Sequence, residues 1–209
     1  MRNLSPFYNT FYNAINNIWP MLTLFVIIMV VLRLTRVFIN NDHFVFYKEF
    51  YNLLFIIYVI LLYHLLLSTE NATSGMNLIP FREMTRYNIG STAFYYNVIG
   101  NIVLFIPFGY FVSDYLKAKK INHILIVSII ISLTAELIQY KIGRAFDIDD
   151  IMLNVVGSII GFMFYISIRA IKNHLPGILQ NNIFYNLLAI ILIIIMIFMF
   201  GSIWGISLI

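Results

Sequence analysis

Residues 97–161 read NVIGNIVLFIPFGYFVSDYLKAKKINHILIVSIIISLTAELIQYKIGRAFDIDDIMLNVVGSIIG, and they decide the fold. Within them two apolar runs flank the densest polar cluster of the chain: Glu136, Gln139, Arg144, Asp147, Asp149, Asp150 and Asn154. Glu136 and Gln139 stand one helical turn apart at the end of an apolar helix. Asp147, Asp150 and Asn154 fall at i, i+3 and i+7, which places them on one face of any helix there. Acids beside membrane-type sequence are costly in lipid, so they are expected to face a protein interior or a watery cavity. The cluster marks the functional centre, and the other helices support it.

Outward from this stretch the same character continues. Of the 209 residues, 61% are hydrophobic and only 11% are charged, more apolar sequence than a soluble domain of this length needs. Repeated apolar runs of about 18 residues or more mean transmembrane helices. They lack strict alternation, which argues against a membrane barrel. The fold expected is all-α: a polytopic membrane helical bundle of about six transmembrane helices with an N-terminal interfacial helix. It forms one integral membrane domain over residues 1–209, with a motif core at 77–161. The net charge is +4, but the positives lie in loops between spans and form no basic helix or stripe. Topology and anionic lipid headgroups explain them, and nucleic acid is not an expected partner. The chain has no cysteine, which excludes disulfides and thiolate metal sites. The N-terminus lacks the order of charge, short apolar core and cleavage site that a signal peptide needs, so no cleaved leader is expected.

In chain order, Phe7, Phe11, Ile15 and Ile18 make one helical face. That segment is either a helix lying in the membrane interface or a plain aromatic anchor. Trp19 and Pro20 open a first span to about Leu34, with proline well placed at a helix start. A second span runs from about Phe50 to Ser68 and carries His64, for which the sequence shows no partner. The connection of about Thr69 to Phe94 contains Asn77-Leu78-Ile79-Pro80-Phe81, then Arg82, Glu83 and Arg86. It either packs back on the bundle or forms a generic interfacial loop. The third span, about Tyr95 to Tyr115, starts with Asn97 and Asn101 one turn apart and is kinked at Pro107. The fourth span covers about His123 to Tyr140 and the fifth about Ile151 to Ile171. In the fifth, Gly157, Ser158 and Gly161 give a small-residue face for close helix packing. A sixth span, about Ile183 to Ile206, is almost featureless and is expected to be peripheral.

Eight of the 13 Lys and Arg lie in the first, third and fifth loops: Arg33, Arg36, Lys48, Lys117, Lys119, Lys120, Arg169 and Lys172. The positive-inside rule then sets those loops in the cytoplasm and both termini outside. Whatever the orientation, the second loop, the start of the third span, the end of the fourth and the start of the fifth share one side. Arg82, Asn97, Asn101, Glu136, Gln139, Arg144, Asp147, Asp150 and Asn154 can therefore converge at one membrane face as a polar pocket.

Asn101-x-x-Leu104-Phe105-x-Pro107-x-Gly109 and Glu136-x-x-Gln139, followed by Arg144, Asp147, Asp150, Asn154, Gly157 and Gly161, resemble the VanZ-like family. The Asn77–Phe81 loop looks like that family too. The resemblance covers about Asn77 to Gly161. It implies a bacterial integral membrane protein of the cell membrane. The family's name-giving member is linked to resistance to teicoplanin, a glycopeptide that binds cell-wall precursors outside the membrane. It carries over no catalytic residue, so the matching positions are site candidates.

Several functions follow. One is antibiotic resistance at a Gram-positive cell envelope, with the pocket binding or altering an envelope component such as a lipid-linked wall precursor. Its partners are then membrane lipids and either that precursor or the glycopeptide. Arg82 and Arg144 suit a phosphate or carboxylate, with Asn101, Gln139 and Asn154 as hydrogen-bonding wall. Another is a membrane enzyme, in which Glu136 with Asp147 or Asp150 acts as a general acid/base pair or holds a hard divalent cation. A third is a transporter with Glu136 on an ion path, for which no inverted repeat speaks. A purely structural alternative pairs Arg144 with Glu136 or Asp147 to neutralise charge. No nucleophilic Ser or Cys motif, Gly-rich phosphate loop or His metal pair appears, and the residues name no cofactor.

Overall fold

A backbone in lipid must satisfy its own N–H and C=O groups, so long apolar runs become helices. A computed structural model describes residues 5–40, 43–67 and 75–201, with side chains over 13–40, 43–66 and 75–197. The helices are α1 (Ser5–Asn40), α2 (Phe46–Leu67), α3 (Arg82–Arg86), α4 (Thr92–Leu116), α5 (Ile121–Lys141), α6 (Ile148–His174) and α7 (Asn182–Gly201). Five stretches are long and apolar enough to cross a membrane: Asn13–Asn40, Phe46–Leu66, Thr92–Leu116, Ile121–Lys141 and Ile148–His174. The chain is thus an all-α polytopic membrane protein, as its composition implies. The apolar stretch of α7 spans Asn182–Ile197, shorter than the other five. The far end of the expected sixth span lies outside the described residues, as does the start of the long second connection.

Two local features depart from the sequence expectation. Pro20 lies inside α1 rather than opening a helix. The expected interfacial segment and the first span are therefore one continuous helix, in which Ala14 and Ile18 are buried one turn apart. The second is a two-residue parallel pairing of β1 (Met76–Asn77) with β2 (Phe146–Asp147). It ties the long second connection to the loop between α5 and α6, so that connection does pack back.

The chain divides into two compact units. One comprises Met1–Thr23 and Ile57–Arg169. Its core is Leu62, Phe105 and Phe108, with Tyr58, Leu104 and Val127 packed around them. Pro107 has no N–H to give the Val103 carbonyl. The Tyr58 hydroxyl donates to the neighbouring Leu104 carbonyl at 2.7 Å, so a second helix supports the backbone at the proline. The other unit comprises Leu24–Ile56 and Ala170–Ile209. There Arg33 meets Glu49 through two hydrogen bonds of 2.9 and 2.7 Å, the forked geometry that makes such pairs strong. Tyr47 packs on Tyr185 at 5.3 Å between ring centres and donates its N–H to Asn186 Oδ1 at 3.0 Å.

In the first unit α4 and α6 approach backbone to backbone. A Cβ at Gly161 would stand 2.1 Å from the Ile106 carbonyl oxygen, and one at Gly157 would stand 2.2 Å from that of Ile102. The reciprocal position is Gly109, where a Cβ would stand 2.1 Å from the Ser158 carbonyl oxygen. Backbone cannot yield as a side-chain tip can, so these glycines set the spacing of the helices that carry the polar cluster. Gly161→Leu is expected to lower stability by about 1–3 kcal/mol or more, the usual cost of overpacking. Thermal unfolding in detergent checks this against Gly177→Ala, where nothing lies within 4 Å of the added Cβ.

Candidate functional site

The site starts at the C-terminus of α5. Gly143 takes φ +95°, the left-handed conformation that glycine adopts without strain. The Arg144 N–H then reaches back to the Gln139 carbonyl at 3.0 Å and the Gly143 N–H to that of Tyr140 at 3.2 Å. This paired closure ends a helix and reverses the chain. It swings Arg144 beneath Gln139. Both side chains then donate to one carbonyl, that of Leu66 in the last turn of α2, Gln139 Nε2 at 2.6 Å and Arg144 Nη1 at 3.1 Å. The last carbonyls of a helix lack backbone donors and favour positive charge, which is what the pair supplies.

Next along the chain, the Asp147 N–H donates to Glu136 Oε2 at 3.0 Å. Asp147 Oδ1 accepts from Asn77 Nδ2 at 2.8 Å across the β pairing and from the Asp149 N–H at 2.9 Å. Burial pushes the Asp147 carboxyl above the ordinary carboxylate range, and these two donors pull it back. Asp149, 1% exposed, turns away and accepts three backbone N–H groups: Phe81 at 2.6 Å, Glu83 at 2.8 Å and Met84 at 3.1 Å. It caps α3 from another segment and holds Phe81 at φ +65°. For a bulky residue that conformation costs about 1–3 kcal/mol and persists only where the surroundings impose it.

These elements wall a cavity of about 770 Å³ within the first unit. Arg82, Asn97 and Asn101 line it from α3 and α4, Glu136 and Gln139 from α5, and Asp150 and Asn154 from α6. Arg144 and Asp147 line it from the loop between α5 and α6, and Asn77 from β1. The nine residues expected at one membrane face thus share one cavity. Asn101 Nδ2 donates to Asp150 Oδ1 at 2.7 Å, and Asn154 Nδ2 to Ser132 Oγ at 2.8 Å. Glu136, Asp147 and Arg144 lie close enough to act electrostatically on Asp150.

Two expectations need correction. Asp147 belongs to β2, before α6 begins, so the shared helical face holds for Asp150 and Asn154 only. Asp147 reaches the cavity through strand pairing instead. Nor does Arg144 form a direct ion pair with Glu136 or Asp147 among the described residues. Its guanidinium serves the end of α2 and acts on the acids at longer range. Sequence reasoning missed the roles of Asp149, Asn77, Ser132 and the Leu66 carbonyl. Only Asn77, inside its Asn-Leu-Ile-Pro-Phe loop, and Gly143, a helix-ending glycine before Arg144, carried a signal. Among the described residues no three His, Cys, Asp or Glu side chains are grouped to hold a metal ion.

The VanZ/LLP1 family model matches residues 50–171. The fold and cavity are those of a multi-pass membrane protein with a polar site at one set of helix ends, and the chain belongs to the VanZ/LLP1 family. Every cavity-lining residue falls inside the matched span. No curated protein sequence and no solved structure matches the chain.

The Asp149 cap is directly testable. Asp149→Ala leaves three N–H groups without their acceptor, and an unmet buried donor costs about 1–3 kcal/mol. Hydrogen exchange is expected to speed up at the amides of Phe81, Glu83 and Met84, while amides in the middle of α5 keep their protection. Unchanged exchange at all three would show that the cap does not hold the segment.

Proposed function

We propose that this protein works at the outer face of the bacterial cell envelope, where its cavity binds or alters an envelope component and raises tolerance to glycopeptide antibiotics such as teicoplanin. One observation carries the proposal: three arginines and five carboxylates from α3, α5, α6 and the α5–α6 loop line one cavity at the helix ends opposite Lys117, Lys119 and Lys120. The excess of basic residues on the opposite side supports an outward opening. A wall of Arg, amide and carboxylate groups suits a phosphorylated or carboxylated ligand, such as a lipid-linked wall precursor or the glycopeptide itself.

A second proposal, a membrane enzyme on a lipid-linked or phosphorylated envelope substrate, is favoured by the setting of Glu136. Glu136 is 2% exposed, one oxygen is fixed by the Asp147 N–H, and Asp150 lies within electrostatic range. Two acids in unlike surroundings are the usual arrangement for dividing acid and base roles, with Asp147 beside them.

Expression in a susceptible Gram-positive host is expected to raise the inhibitory concentration of teicoplanin. Glu136→Gln and Arg144→Lys keep shape or charge, so both should reach the membrane at normal levels yet lose the effect. Full tolerance in both variants, or an unchanged inhibitory concentration with the wild-type protein present in the membrane, would overturn the proposal.

A further inference from the structure

We infer that the cavity is built for a phosphate ester bearing a primary ammonium group, with the ammonium on an acceptor-rich floor and the phosphate at Arg82. This deepens the function proposed above and rests on the same cavity being the ligand site.

Each side-chain amide of the floor already gives an N–H to a protein acceptor. The Asn101 amide N–H₂ serves Asp150, that of Gln139 serves Leu66, that of Asn77 serves Asp147 and that of Asn154 serves Ser132. The Leu66 carbonyl can only accept, which fixes the orientation of the Gln139 amide. The buried cavity atoms left without a partner among the described residues are acceptors. Gln139 Oε1 and Asn154 Oδ1 have no hydrogen-bond partner among the described residues, on side chains only 3% and 2% exposed. One oxygen each of Glu136 and Asp150 is likewise without a hydrogen bond among those residues. A buried acceptor left unmet is costly, so the site calls for a donor-rich group.

Charge points the same way. Glu136, Asp147 and Asp150 crowd together with the guanidinium of Arg144 acting on them, so a cation entering the floor favours their ionised form, whereas Asp149 is met by its three N–H groups. A primary ammonium supplies one compact positive charge and three N–H donors. A quaternary ammonium supplies the charge and no donor. The phosphate falls to the side chain of Arg82. Arg86 is paired with Glu83 at 3.1 Å, but the exposed Arg82 side chain lines the cavity and has no bond among the described residues. A guanidinium there suits a phosphate. The volume of about 770 Å³ holds a headgroup with room to spare. A lipid headgroup and a water-soluble phosphoryl ammonium compound share this chemistry.

The full-length protein, purified in neutral detergent, is titrated with phosphatidylethanolamine, phosphatidylcholine of the same chains, phosphorylethanolamine and inorganic phosphate, with the thermal unfolding temperature as readout. Phosphatidylethanolamine is expected to bind more tightly than phosphatidylcholine by about tenfold or more, the scale of one charge-assisted hydrogen bond. Arg82→Gln and Asp150→Asn should each weaken it by about as much, since each removes one charged partner. Lys119→Gln, on the opposite loop, should leave it unchanged. Phosphorylethanolamine binding as tightly as the lipid supports the chemistry with a water-soluble source, and tighter lipid binding supports a membrane source. Equal binding of the two lipids, or no binding of either ammonium ester with a primary amine, overturns the inference. The wild-type comparison decides even if Asp150→Asn fails to fold. Teicoplanin tolerance without any preference for the primary amine overturns this inference alone, and the preference without tolerance overturns the resistance role alone.

Discussion

A carboxylate buried among apolar helix ends must find donors, and Asp149 finds them in three backbone N–H groups of a segment more than sixty positions earlier in the chain. The cavity depends on this bond set. It fixes α3 against the start of α6 and holds the left-handed turn at Phe81. It also keeps Arg82 at the cavity wall. Glu136 meets the same constraint in the same way, through the Asp147 N–H. Answering buried acids with backbone N–H groups leaves Arg82 and Arg144 uncommitted to direct ion pairs among the described residues. A bidentate Arg–carboxylate pair would consume both partners, as Arg33 and Glu49 do in the other unit.

The second requirement is a rigid frame, and glycine provides it. Gly157 and Gly161 on α6 press against the carbonyls of Ile102 and Ile106 on α4. Asn101 and Asn154 sit at the cavity end of that seam. Close backbone contact lacks the slack of side-chain packing, so Asn101 reaches Asp150 at 2.7 Å. The wide π-type turn at Tyr95–Ile99 lies just beyond. Such turns often accompany functional positions, and Asn97 lines the cavity from it.

Much of this was legible in the sequence. Helix content follows from unbroken apolar runs, and the seam follows from the Gly157, Ser158, Gly161 spacing. Convergence of the polar residues follows from alternation of spans, which needs no contact prediction. Pairwise partners were not legible. The helical spacing of Asp147, Asp150 and Asn154 suggested one face, but β1 pairs with Phe146–Asp147 and delays the helix until Ile148. Nothing local to Asp147 announces a strand, since its partner lies in a distant loop. Arg144 looked like a counter-ion for its nearest acids. Its actual partner is a main-chain carbonyl, and main-chain groups leave no mark on sequence pattern. Pro20 failed as a boundary marker because an apolar helix in lipid loses more by breaking than by leaving one carbonyl short of a donor.

The central claim is that these residues wall a water-reachable cavity on the outer face. The chain has no cysteine, so single cysteines can be labelled without background. Cells expressing Asn97→Cys, Asp150→Cys or Lys119→Cys are treated with a membrane-impermeant thiol reagent before and after permeabilisation. The account predicts labelling of the first two in intact cells and of Lys119→Cys only after permeabilisation. Labelling of Lys119→Cys in intact cells, or no labelling of Asp150→Cys under either condition, would contradict it.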